Sequence, residues 1–163
     1  MQDLLINIFD KPLGIILTQL ILATRFTIYL SLIAFLGGGL VAVIITFLRI
    51  YPSKILNHIS FCYTWLFQSL PLLMLLFIIG LGIPRFIGQD FDPWYAASIS
   101  LIIFTSAYLS EVWRGAIMAI PSGQWEGGVA LNLNFTQTLR LIIIPQVYKL
   151  SLIHISEPTR HVD

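Results

Sequence analysis

Two polar groups interrupt an otherwise oily chain, and their residue types bound the chemistry open to it. The first lies between Gly123 and Pro145, GQWEGGVALNLNFTQTLRLIIIP. Glu126 is followed by two small residues, Gly127 and Gly128. After three intervening residues comes Asn132, and after nine more the triplet Ile142-Ile143-Ile144, closed by Pro145. A polar, Gly-rich stretch like this has no use facing lipid. Asn is the commonest non-glycine residue to accept a positive φ, so a turn at Asn132 between two short helices is expected. The second group is AYLSEVWRG, Ala107 to Gly115, in which Tyr108, Glu111 and Arg114 are three apart and share one helix face. A carboxylate within a membrane is costly unless paired. Glu111 is therefore either a functional site or half of an interfacial pair with Arg114, and physics alone favours the pair.

The elements that must position these groups are membrane-spanning helices. The chain is 57% hydrophobic and 10% charged, against roughly 45–50% and about 25% in soluble domains. Phe26 to Leu48 runs uncharged between Arg25 and Arg49. Its roughly 23 residues, at about 1.5 Å each, reach about 35 Å, enough for a hydrocarbon core of about 30 Å. The run from Ile55 to Pro84 is too long for one straight span, and Pro71 divides it. The part before the proline carries His58, Gln68 and Ser69 and reads as an interfacial lead-in, and a second span follows over about 67–83. The third run, Pro93 to Ser110, is closed by Glu111 and Arg114 and gives a span over about 93–112; a fourth apolar stretch begins at Leu141. Residues 1–24 lack the basic start and cleavage site of a signal peptide and read as an interfacial helix leading into a first span over about 20–48. The fold class is thus all-α: a polytopic inner-membrane helical protein with three full transmembrane helices, the start of a fourth, and a helix-turn-helix loop over about 115–140.

Loop charge sets the orientation. Arg49 and Lys54 lie in the first loop, and Arg114, Arg140 and Lys149 in the third region, whereas Arg85 in the second is opposed by Asp90 and Asp92. This places the N-terminus outside and the Glu126 loop in the cytoplasm. The single cysteine, Cys62, rules out a disulfide framework or a Cys-based metal site. No Walker A sequence is present. Gly37-Gly38-Gly39 lies mid-span with no Lys-Ser/Thr after it, and reads as a close helix–helix contact. His58 reads as interfacial and structural, and Trp65, Trp94, Trp113 and Trp125 lie near span boundaries, where indole rings settle. No cofactor, metal or nucleic-acid site is expected.

Glu126 with its two small residues, the turn residue and the Ile-x-apolar-Pro ending resembles, across its full spacing, the EAA loop of ABC importer permeases. The family has Ala-Ala where this chain has Gly127-Gly128, and its turn glycine falls on Asn132. Each glycine costs about 1 kcal/mol against Ala in a helix interior, so the first short helix is expected to fray before docking. AYLSEVWRGAIMAIPSGQWEGGVAL resembles the polar amino acid branch, which reads Ala-Tyr-x-x-Glu-x-x-Arg-Gly, then Ile-x-x-Ile-Pro-x-Gly-Gln-x-Glu, and every fixed position is filled here. PLLMLLFIIGLGIP from Pro71 and TIYLSLIAFLGGGLVAVIITFLR resemble the family's second and first spans. Two departures stand out. Gln68-Ser69-Leu70 replaces the family's Arg-Gly-Thr, so no role of that Arg transfers, and Leu75 stands where Gln is common.

The resemblance implies a permease subunit of an ATP-driven importer of polar amino acids. Its partners would be cytosolic ATP-binding subunits, a second permease subunit and a periplasmic or lipid-anchored substrate-binding protein, within the bacterial inner membrane. The chain itself would not be an enzyme; ATP hydrolysis falls to a partner. Gly123, Gln124, Glu126, Gly127, Gly128, Asn132 and Pro145 would form the ATPase-coupling loop. Thr105, Tyr108 and Glu111 would be candidate translocation-path residues, with Arg114 at a helix end. Residues 1–150 are read as the N-terminal part of the transmembrane domain. Polarity rises abruptly in SLIHISEPTRHVD, and 151–163 reads as a non-native tail similar to a translated sequencing adapter. Two other readings stand beside this one: a proton-coupled secondary carrier using Glu111, and a truncated fragment without activity of its own.

Overall fold

The computed structural model describes residues 11–89 and 91–148. Those residues are helical throughout, with no strand among them. α1 (Lys11–Ile50) is one continuous helix of 40 residues. Of the interfacial lead-in expected over 1–24, residues 11–24 are continuous with the first span, since no proline or glycine interrupts 15–36, and residues 1–10 lie outside the described residues. α2 (Lys54–Gln68) follows a short turn. The chain then bends by 98° into α3 (Leu72–Phe77), which continues through a π-helical turn (Ile78–Gly82) into α4 (Ile83–Ile87). The bend falls where the sequence puts it, since Pro71 carries no N–H and disfavours helix in the residue before it. The second apolar helix therefore starts at Leu72 rather than near 67. It ends where Gly88 takes φ 74, a left-handed stop.

α5 (Pro93–Met118) begins with Pro93 in the first turn and Asp92 as N-cap, its carboxylate accepting from the Trp94 N–H at 2.7 Å. It outruns the expected 93–112 by nearly two turns. Then come α6 (Ser122–Ala130), α7 (Phe135–Thr138) and a second π-helical turn (Leu139–Ile143) that leads into helical residues 144–148. The loop expected over about 115–140 is thus an elbow that starts only after Met118. The continuation expected to become a fourth span, the tail at 151–163, and the charges of Asp90 and Lys149 lie outside the described residues.

α1 and α5 are long and apolar enough to cross a membrane, and the bent α2–α4 segment supplies a third candidate crossing. α1 and α5 pack in parallel. Phe26 meets Trp94 edge-on at 5.9 Å near one end; Gly38 lies against Thr105 in the middle; Thr46 Oγ1 donates to the Ser110 carbonyl at 3.2 Å near the other. The glycine cluster is what lets them approach. A Cβ on Gly37 would lie 2.9 Å from Ile102 side-chain carbons, and one on Gly38 2.8 Å from Thr105 Cβ. Small residues are buried along α5 as well: Ser106 faces Tyr63 of α2, and Ser100 and Ser110 are fully buried. Their hydroxyls bond back to carbonyls three or four residues earlier, so no polar group is left bare.

Two parallel helices that both cross a membrane need a return crossing between them; the bent α2–α4 segment is the candidate, with α3–α4 packed on the first half of α5. Leu75, Ile79 and Ala96 form the core there. Leu75 is 2% exposed, which gives its apolar character a packing reason.

Candidate functional site

The elbow is built by local rules that can be followed residue by residue. α6 ends in a Schellman arrangement: the Leu133 N–H donates to the Gly128 carbonyl at 3.0 Å and the Asn132 N–H to the Val129 carbonyl at 2.9 Å. This needs a left-handed residue, and Asn132, at φ 57, is the only non-glycine with positive φ among the described residues. Two residues on, Asn134 opens α7 with a capping box. Its Oδ1 accepts from the Gln137 N–H at 2.9 Å, and Gln137 Oε1 accepts from the Asn134 N–H at 3.0 Å.

The two arms then close on each other. A Cβ on Gly128 would run into the Thr138 side chain, so this buried glycine allows the arms to touch. Gly127 faces open space. The Trp125 and Phe135 rings stack at 5.7 Å, and Gln146 Nε2 donates to Gln124 Oε1 at 2.8 Å. α6 runs unbroken through both glycines.

The elbow is fixed to the ends of α1 and α5. Ile143 is fully buried with Leu139 of the elbow and Ile117 and Ile120 from the end of α5. Phe47 and Ile50 of α1 pack against the same cluster, and Tyr51 meets Phe135 edge-on at 5.7 Å. Of the expected link Ile142–Pro145, Ile143 carries the anchorage, while Ile144 and Pro145 are exposed. Beside it an apolar cleft of about 320 Å³ lies between Val43, Phe47, Trp113, Ile117 and Val147.

Glu126 stands on the outer side of α6. It is exposed, and it makes no side-chain hydrogen bond or ion pair among the described residues. It borders an open groove of about 390 Å³ with Trp125, Val129, Leu133, Phe135 and Thr138. Val129 and Leu131 are 74% and 69% exposed beside it. A carboxylate without a partner among the described residues, set beside exposed aliphatic side chains on a two-helix elbow, is suited to meeting another protein. Gly123 is exposed, with open space where a side chain would stand.

The second polar group does not converge on one cleft. Thr105 is turned to Gly38 in the α1–α5 seam. Tyr108 donates to the Gln68 carbonyl at 3.3 Å, while Gln68 Nε2 donates to the Ala107 carbonyl at 3.1 Å. The two residues thus brace the end of α2 against α5, where the helix breaks. Gln68, which replaces the family's Arg, has this structural part. Beside it Tyr63 and Ser106 share a hydroxyl–hydroxyl bond at 2.7 Å.

Glu111 forms the pair with Arg114 that its spacing allows, Nε to Oε2 at 2.7 Å. It also forms a pair that sequence reading missed. Arg49 donates to Oε1 from Nε at 3.3 Å and Nη2 at 3.1 Å. Arg49 Nη1 donates to Asn57 Oδ1 at 2.8 Å, and the guanidinium lies 4.7 Å over the Phe61 ring. The available signal was topological: the first and third crossings of a membrane end on the same side, so an Arg closing one and a Glu near the end of the other can meet. Among the described residues no three or more His, Cys, Asp or Glu side chains gather as a metal site would require.

Comparisons with known proteins agree with this architecture. A probable amino-acid ABC transporter permease protein, YckA, of Bacillus subtilis strain 168 is 32% identical over 127 residues, which cover 78% of this chain and 56% of that protein. The glutamine transport system permease protein GlnP of Escherichia coli K12 is 29% identical over 77% of this chain and 58% of its own length. A putative glutamine transport system permease protein of Rickettsia felis is 32% identical over 91% of this chain and 66% of that one. The chain therefore spans little more than half the length of the first two. A crystal structure of an amino acid ABC transporter with histidines aligns with TM-score 0.70 and 28% identity, over 80% of this chain and 61% of that chain. The profile of the family described as binding-protein-dependent transport system inner membrane component matches residues 34–155, well over half of the sequence, and the chain belongs to that family.

Proposed function

We propose that this chain forms part of the membrane permease of an ATP-driven importer of polar amino acids, and that the elbow around Glu126 is where a cytosolic ATP-binding subunit docks. The observation that carries the reading is the elbow itself: an exposed carboxylate, without a partner among the described residues, on a two-helix turn whose other side is fixed to the ends of α1 and α5 through Ile143. A partner that pulls on such an elbow moves both helices. The relatives named as amino acid permeases support the substrate class. A second permease subunit and an external substrate-binding protein complete the assembly, with the N-terminus outside and the elbow in the cytoplasm.

A carrier with Glu111 as its proton site is disfavoured, because both carboxylate oxygens are held by guanidinium groups. The test is Glu126→Lys in the assembled transporter. Membrane insertion is expected to be unchanged, while ATP-dependent amino acid uptake and co-purification of the ATP-binding subunit are lost. Uptake at the parental rate overturns the assignment.

A further inference from the structure

The elbow is anchored on α1 and α5, and the principal packing of α2, which leads into the bend at Pro71, is on α1 and α5 rather than on the elbow. Arg49 is where these parts meet. It sits in the last turn of α1, between Phe47 and Ile50, which pack on the elbow core. From there its three guanidinium nitrogens reach α5 through Glu111 and α2 through Asn57, and its flat face covers Phe61 of α2. The Arg49 side chain is 14% exposed and its bonds to Glu111 are partly buried, while its bond to Asn57 lies at the surface. Arg114 holds the other oxygen of Glu111 and fixes the carboxylate for Arg49. A planar, always-charged fork is the side chain that can serve a carboxylate, an amide oxygen and a ring face together; lysine can satisfy only part of this.

Resting on the coupling reading above, we propose that Arg49 is the positioning residue that makes α2, and with it the bent α2–α4 segment, follow the elbow when the ATP-binding subunit moves it. Docking belongs to Glu126 and transmission to Arg49. Loss of Arg49 leaves an elbow that still receives its partner while the α2 segment lags behind.

The experiment uses proteoliposomes holding the assembled transporter that contains this chain, with its receptor protein and a radiolabelled amino acid mixture as probe. ATP hydrolysis and uptake are measured on the same sample. Arg49→Ala is expected to keep receptor-stimulated hydrolysis within about twofold of the parent while uptake per ATP falls about tenfold, on the order of a whole coupling free energy between two sites. Arg49→Lys should recover part of that ratio. The double variant Asn57→Ala/Phe61→Ala removes the contact from the α2 side, leaves the Arg49–Glu111 pair intact, and should reproduce the uncoupling even if Arg49→Ala fails to insert.

An unchanged ratio in the double variant overturns the proposal, as does a parallel fall of hydrolysis and uptake in proportion to inserted protein. Glu126→Lys separates the two readings. It should lose hydrolysis and uptake together; if it behaves as the parent while Arg49→Ala is uncoupled, the docking assignment fails and the Arg49 brace stands.

Discussion

At the residue scale, Gly127 and Gly128 are neighbours with opposite reasons to exist. Gly127 faces open space, whereas Gly128 lies against Thr138, and a methyl group there would overlap that side chain. Gly127→Ala should therefore stabilise α6 by about 1 kcal/mol through propensity and reduced unfolded-state freedom. Gly128→Ala should open the elbow, and adding Thr138→Ala should recover part of the loss. Amide hydrogen exchange across 122–138 of the detergent-solubilised protein reads all three: slower in the first variant, faster in the second, intermediate in the double. The reverse order for the two single variants would contradict the packing.

The Ala-Ala of related loops is thus replaced here for a steric reason at one position and for none visible at the other. Asn132 was legible in advance because left-handed backbone is a local property of Asn. The need for Gly128 was not, because its cause is a side chain ten residues on, brought near only by the turn. Glu111 was legible by half: the Arg114 partner lies one turn away on the same helix, and the Arg49 partner on another.

At the scale of elements, breaks were easier to place than lengths. Pro71 breaks the helix by backbone chemistry that the sequence displays, although the stop at Gly88 lies beyond the limit of about 83 that the sequence suggested. The expected limits of α1 and α5 came from where apolar character fades, and a helix does not stop there unless something breaks it. Each π-helical turn also stands directly before a proline. Ile83 and Ile144 donate to carbonyls five residues back, Ile78 and Leu139, and Pro84 and Pro145 follow. A proline inside a helix clashes with the carbonyl four residues earlier, and a widened turn just ahead of it moves that carbonyl aside. The same device thus serves the return crossing and the exit from the elbow.

The α1–α5 seam gives a sharper test of element packing. Gly38→Leu must displace Thr105 and meets the Ile102 carbonyl oxygen, 3.3 Å from the position of a Cβ. Overpacking of this kind costs about 1–3 kcal/mol or more, and the variant should melt at lower temperature in detergent. Gly39→Leu points into open space and should melt as the parent does. Equal melting of the two variants would show that the helices do not approach at Gly38.

For the whole molecule, parallel packing of α1 and α5 decides more than any single contact. It requires an odd number of crossings from the start of one to the end of the other. The elbow and the first turn, 51–53, therefore share one face of the membrane, and the loop around Gln89 lies on the opposite face. The charge balance then predicts which face is cytoplasmic. Arg49, Lys54, Arg114 and Arg140 gather at the elbow end, against Lys11, Arg25 and Arg85, with Asp92, at the other. Lys and Arg favour the cytoplasmic side.

With exposed Cys62 first replaced by Ser, single cysteines at Gly123 and Gln89 give a direct reading. A membrane-impermeant maleimide should label Gln89→Cys in intact spheroplasts and Gly123→Cys only in inverted vesicles. Labelling of both from one side would remove the return crossing and with it the parallel arrangement. The opposite pattern would keep the fold and invert it, and an elbow outside the cell could not receive a cytosolic ATP-binding subunit.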